Sequence, residues 1–121
     1  MRLLLALIVL LGADTQAGTV RLQPKDVVGD WISLRGCSDS LWKFTADAKY
    51  YGHCFDMIEA GRWSLRGGDK IVITHYDDIL KETVSAKSHR ETITITRFEP
   101  HSDRTFMYVR YPDGGQGKWM K

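Results

Sequence analysis

Recurring turn clusters, separated by short alternating stretches, are the feature that most limits what this chain can become. They are Arg35-Gly36-Cys37-Ser38-Asp39, Asp47-Ala48-Lys49, Arg66-Gly67-Gly68-Asp69, Glu99-Pro100-His101-Ser102-Asp103 and Pro112-Asp113-Gly114-Gly115. Between them the sequence alternates with the period of a strand. In Gly29-Asp30-Trp31-Ile32-Ser33-Leu34 a glycine, one residue and a tryptophan open a strand, with Trp31 and Ser33 on one face and Asp30, Ile32 and Leu34 on the other. Residues 41–46 place Trp42, Phe44 and Ala46 together. Short strands at this spacing predict an all-β fold, an antiparallel sandwich or a small up-and-down barrel of about eight strands. The barrel is preferred because closure removes the exposed edges of an open antiparallel sheet. Its interior has room for side chains or for one small ligand.

Two hairpins anchor this reading. Residues 41–46 and 50–55 are joined by Asp47-Ala48-Lys49, and residues 59–65 and 70–76 by the double glycine of 66–69. The second hairpin puts Gly61, Trp63 and Leu65 on one face and Ile71, Ile73 and His75 on one face of its partner. Thr92, Thr94 and Thr96 alternate with Ile93 and Ile95 in another strand, followed by strands over 104–111 and 116–121. Residues 77–89 admit two readings. Ile79, Leu80, Thr83 and Val84 fit a helix face capped by Asp78, while residues 83–86 fit a short strand. Strands on both sides select the strand. Residues 18–25 read as a polar lead-in, with Pro24 opposing regular structure.

The first residues read as a separate element. Met1-Arg2, the apolar run from Leu3 to Leu11 and Thr15-Gln16-Ala17 have the layout of a secretory signal peptide cut after Ala17. The run is shorter than the about 20 residues a bilayer span needs. The expectation is therefore a leader over 1–17 and one soluble domain over 18–121, secreted or periplasmic, with the periplasm favoured and no stable membrane insertion. In that compartment Cys37 and Cys54 are expected to form a disulfide, which the antiparallel return of residues 50–55 makes geometrically reasonable. Inert buried thiols are the alternative. The chain contains no asparagine, so it carries no N-linked glycan. A formal charge of +2 gives no electrostatic reason for a nucleic-acid partner. A monomer is expected.

Gly29-x-Trp31, the hairpin from Trp42-x-Phe44 to Tyr50, and Gly61-x-Trp63-x-Leu65 before Gly68-Asp69-Lys70 together resemble the small bacterial lipocalin-like domains. The resemblance covers most of residues 18–121. It implies a structural role for Gly29 and Trp31, with an arginine from late in the barrel packed on Trp31; Arg104 and Arg110 are the candidates. The chain is much shorter than a true lipocalin and lacks the helix expected before the last strand, which argues against a deep ligand cup. In size, export and its one cysteine pair it also resembles small periplasmic protease or lysozyme inhibitors.

No constellation for catalysis is found. His53 and Cys54 are adjacent on a strand and so point to opposite faces, which prevents a dyad. No serine sits in a Gly-x-Ser-x-Gly elbow. His53, His75, His89 and His101, with Asp56, Asp77 and Asp78, lack a recognised metal-ligand spacing, so neither metal nor cofactor is expected. Glu82 and Glu91 read as solvated carboxylates. Arg90, Arg97, Arg104 and Arg110 read either as a solvated face or as a cationic patch for an anionic partner.

The aromatic residues carry more. Trp31, Trp42, Trp63 and Trp119 first read as core, because large rings supply the burial a small barrel needs. Trp42, Phe44, Tyr50, Trp63 and Tyr108 are the candidate lining of an apolar pocket. Tyr51, Tyr76 and Tyr111 are candidate anchors for a protein partner. The leading expectation is thus a non-enzymatic barrel binding a small hydrophobic ligand. The alternative is a protein-binding module, such as a hydrolase inhibitor or immunity-type protein, acting through residues 35–40 and 77–87.

Overall fold

The computed structural model describes residues 20–34, 40–54 and 57–121. The expected leader over 1–17, Cys37 with its turn, Phe55 and Asp56 lie outside the described residues. Eight antiparallel strands are formed: β1 (Gly29–Ser33), β2 (Leu41–Phe44), β3 (Lys49–Cys54), β4 (Met57–Arg66), β5 (Lys70–His75), β6 (Arg90–Pro100), β7 (Thr105–Arg110) and β8 (Gln116–Met120). Each pairs with the next in sequence, and β8 returns to β1 through Ile32↔Met120 and Ser33↔Trp119. The result is a closed up-and-down barrel, as the strand spacing predicts. Among the described residues no helix is long and apolar enough to cross a membrane.

Register converts the alternation into an inside and an outside. Trp31 lies opposite Trp42, Phe44 opposite Tyr50, Trp63 opposite Ile73, Ile71 opposite Ile93, Ile95 opposite Val109 and Met107 opposite Trp119. All of these share the inner face. Trp31, Phe44, Tyr50, Ile71, Ile73, Ile93, Met107 and Trp119 are essentially removed from solvent. The rings interlock: Trp119 stacks on Trp42 at 4.6 Å between centroids, and Phe44 meets Trp63 edge-on at 5.4 Å. Such contacts stabilise beyond the area they bury.

The two ends differ. One is closed by the turns at 45–48, 67–69 and 101–104 together with the lead-in. Gly67 and Gly68 adopt φ of 66° and 79°, the left-handed conformation that glycine takes without steric cost. Leu22 N–H donates to the Gly68 carbonyl at 2.8 Å, tying the lead-in across this end. The lead-in is not irregular throughout. A single helical turn, α1 (Pro24–Val27), begins at Pro24, where a missing N–H costs nothing, and Asp26 accepts from the Gln23 N–H at 2.8 Å. Val27 is fully buried, and its carbonyl accepts from Trp31 Nε1 at 2.7 Å.

The resemblance to lipocalins points to an arginine on Trp31. Lys121 occupies that place instead, with its ammonium 4.7 Å from the ring centroid. Arg104 is exposed in the turn before β7, beside Asp103 and the Met120 sulfur, and Arg110 is exposed at the far end of β7. Neither reaches Trp31, because β7 is separated from β1 by β8.

The opposite end is the mouth, where β3 and β7 finish and β4 and β6 begin. Residues 77–89 belong to it and are not the strand expected. They form turns held by one isolated bridge, Asp78↔Thr83, with Asp78 Oδ1 accepting from the Leu80 and Lys81 N–H groups. The aspartate side chain supplies local partners that a strand would have to replace.

Candidate functional site at the barrel mouth

Above the packed aromatics a cavity of about 440 Å³ opens at the mouth. Its floor and walls come from four strands and their ends: Ser33 of β1, Leu41 and Trp42 of β2, Tyr50 and Cys54 of β3, and Met57 and Glu59 of β4. Ser40, Tyr111 and Gln116 complete the rim. The volume falls in the range of small-molecule sites, and the mixture of apolar wall with a few polar atoms is typical of them. Among these lining residues Glu59 is the one that carries a formal charge.

Polar atoms around the cavity are mostly satisfied. Tyr50 OH donates to Glu59 Oε1 at 3.2 Å. The phenol ring lies along β3 over Gly52, where a Cβ would collide with the Tyr50 hydroxyl. Burial, reinforced by the nearby Glu59 carboxylate, pushes the Tyr50 hydroxyl far above the usual phenol range, so it stays protonated. Trp119 Nε1 donates to Tyr111 OH at 3.0 Å. Trp63 Nε1 donates to the Thr45 carbonyl at 3.0 Å, and Trp31 Nε1 to Val27. Trp42 breaks the pattern: its Nε1 is buried without a hydrogen-bond partner. It is held between Trp119, Tyr50 and Tyr111, with ring centroids 4.6, 6.0 and 6.1 Å away. An orphaned buried donor costs about 1–3 kcal/mol.

The candidate pocket residues divide. Trp42 and Tyr50 line the cavity. Phe44 sits beneath it in the core. Trp63 lies at the closed end, where it borders a shallow depression with Pro24 and Leu65. Tyr108 belongs to the outer face, between inward Met107 and Val109; its ring meets the Arg97 guanidinium at 5.0 Å and the Lys118 ammonium at 5.3 Å. Ser33, placed by the alternation on the face of Trp31, and Tyr111, read as an anchor for a protein partner, also line the cavity, as do Ser40, Met57, Glu59 and Gln116, which the sequence pattern does not single out. Met57 and Glu59 share the strand parity of Gly61 and Trp63, the signal that could have found them.

Beside the cavity the register gathers a second group. Ile73 pairs with Glu91, and the ladder continues through His75 N–H donating to the His89 carbonyl at 2.9 Å. His75, His89 and Glu91 thereby share one face, with ligand atoms all within 4.8 Å of one another. His75 Nε2 is 3.3 Å from Glu91 Oε1, and the two imidazole centroids are 5.3 Å apart. The His75 ring stands edge-on to Tyr50 at 6.0 Å. A depression of about 320 Å³, bordered by His89, Glu91 and Tyr111, gives access from outside. His53 and His101 do not join the group: His53 is exposed on β3, and His101 packs on Phe106 at the closed end. Glu82 does not meet Glu91; it pairs with Lys49 at 3.0 Å.

Comparison with protein-family models, characterised proteins and solved structures gives no match to the chain.

Proposed function

We propose that this chain is an exported, non-enzymatic, lipocalin-like barrel that holds one small, mainly apolar ligand in its mouth cavity. The observation that carries the reading is the mouth cavity of about 440 Å³, with Leu41, Trp42 and Met57 in its wall. The apolar part of the ligand would rest on Trp42, Leu41 and Met57. Among the described lining residues Glu59 is accompanied by no lysine or arginine, which favours a neutral or cationic ligand over a carboxylate. The packed aromatics below Trp42 limit the ligand to the mouth. A Cys37–Cys54 disulfide belongs to this proposal. The described residues include no free cysteine, and Cys54 stands at the cavity wall, so the bridge would brace the site.

Intrinsic tryptophan fluorescence, titrated with medium-chain alcohols, amides, amines and fatty acids, tests the proposal. Neutral or cationic members are expected to bind, and Met57→Asp, at the exposed part of the apolar wall, to weaken them about tenfold. Silence across the panel, or equal affinity in the variant, overturns it.

A second reading, a protein-binding module, is favoured by apolar residues left in solvent on the loop and strand end at the mouth. Leu80 is 94% exposed, and Met57 and Ile58 are each 66% exposed. Pull-down from periplasm with purified protein tests it. A stoichiometric partner that is lost with Leu80→Asp is expected, and recovery of none counts against it.

A further inference from the structure

We propose that His75, His89 and Glu91 form a binding site for a transition-metal dication of the zinc type at the rim of the barrel. Three observations carry this independently of any ligand in the cavity. The first is donor geometry. The His75 Nε2 to Glu91 Oε1 separation of 3.3 Å matches the edge of a tetrahedron with metal–ligand bonds of about 2.0–2.1 Å, an edge of roughly 3.4 Å. The third donor, on His89, lies within 4.8 Å of both. His89 is exposed, so its side chain can close the remaining distance by a rotamer adjustment.

The second is the scaffold. His75 and Glu91 project from adjacent, hydrogen-bonded strands on the inner face, and His89 sits two residues before Glu91 on that face. Tyr50, itself bonded to Glu59, buttresses the His75 ring. Two of the three donors thus sit on paired strands, which hold them more firmly than loops do.

The third is donor chemistry. Two imidazoles and one carboxylate suit zinc and its neighbours; calcium and magnesium prefer all-oxygen shells. Three protein donors leave a coordination position for water or an exogenous group, and the adjoining depression opens onto it.

Calorimetric titration of the untagged protein with Zn²⁺, Co²⁺, Ca²⁺ and Mg²⁺ tests the site. The expected result is saturation by Zn²⁺ at a single equivalent, with no response to Ca²⁺ or Mg²⁺. His89→Ala and Glu91→Gln should each weaken Zn²⁺ by roughly tenfold or more, whereas His53→Ala and His101→Ala should leave it unchanged. His89 is exposed, so its variant tests the site without endangering the fold. Nuclear magnetic resonance adds a second readout, in which Zn²⁺ should shift the ring signals of His75 and His89 before those of His53 and His101. No saturable Zn²⁺ binding, or an affinity indifferent to both His89→Ala and Glu91→Gln, overturns the proposal.

Discussion

Lys121 lays its ammonium 4.7 Å from the centroid of the Trp31 ring and donates to the Val28 carbonyl at 2.6 Å and to the Asp26 carbonyl at 3.2 Å. One side chain thus joins β8, the opening tryptophan and the helical turn that plugs the closed end. The stem of Lys121 runs past Gly29, whose φ of 141° makes any larger residue strained there. Cation–π attraction at a partly solvated position and a charged hydrogen bond together suggest about 1–2 kcal/mol. Lys121→Met is expected to lower the urea midpoint accordingly with an unchanged m value, and Lys121→Arg to recover most of the loss. A midpoint unaltered by Lys121→Met would remove this contact from the account of stability.

Gly61 marks the closest approach of two strands. It pairs with Tyr50 on one side and His75 on the other, and a Cβ there would collide with the Thr74 carbonyl oxygen and lie 3.0 Å from His75 Cα. Backbone cannot yield as a flexible side chain can. Gly61→Ala is expected to cost about 3 kcal/mol, at the upper end for overpacking, and chemical denaturation measures it. A loss below about 0.5 kcal/mol would show that β4 and β5 separate without penalty.

These two residues illustrate what could be read in advance. Alternation is local, so the shared faces of Trp31 and Ser33, or of Trp42 and Phe44, follow from the sequence alone, and with them the barrel. Glu59 was equally legible by its parity with Gly61 and Trp63. The cation on Trp31 was not, because Lys121 reaches it only through closure of β8 on β1, and the family likeness directed attention to arginines. Nor was the cluster of His75, His89 and Glu91, whose proximity depends on the register across a long loop rather than on a ligand spacing. Tyr108 was misleading for a related reason: β7 gives its inward positions to Met107 and Val109, and β6 changes register between Ile95 and Arg97. Thr83 and Val84 favour a strand by composition, but Asp78 offers their loop nearer hydrogen-bond acceptors.

The proposed Cys37–Cys54 bridge closes a loop for which the chain-entropy model gives about 3 kcal/mol. Mass spectrometry of protein recovered from an oxidising compartment should find the chain two hydrogens lighter than its reduced form. Reduction, or Cys54→Ser, should lower stability by that amount and loosen the cavity wall. Alkylation of both cysteines in the native, unreduced protein would contradict the bridge.

Tyr50 sets the alkaline limit of the fold. Burial raises its pKa far above the ordinary value of 10.0, and the Glu59 carboxylate adds to the effect. In the unfolded chain the phenol ionises near that ordinary value, while in the barrel it keeps its proton. Above about pH 10 the folded state therefore binds more protons than the unfolded one, and stability falls with rising pH, by at most about 1.4 kcal/mol per pH unit from this group. Below pH 10 both states are protonated and the contribution is fully present. Lys121 acts in the opposite sense. Burial lowers its pKa below the ordinary 10.5, so the unfolded chain holds the proton more tightly, and stability grows as pH rises between the lowered value and the ordinary one. The Lys121→Met background removes that opposing term. In it, Tyr50→Phe is expected to flatten the decline in urea midpoint between pH 10 and about pH 11.5. Parallel declines with and without the Tyr50 hydroxyl would mean that its burial does not govern the alkaline limb.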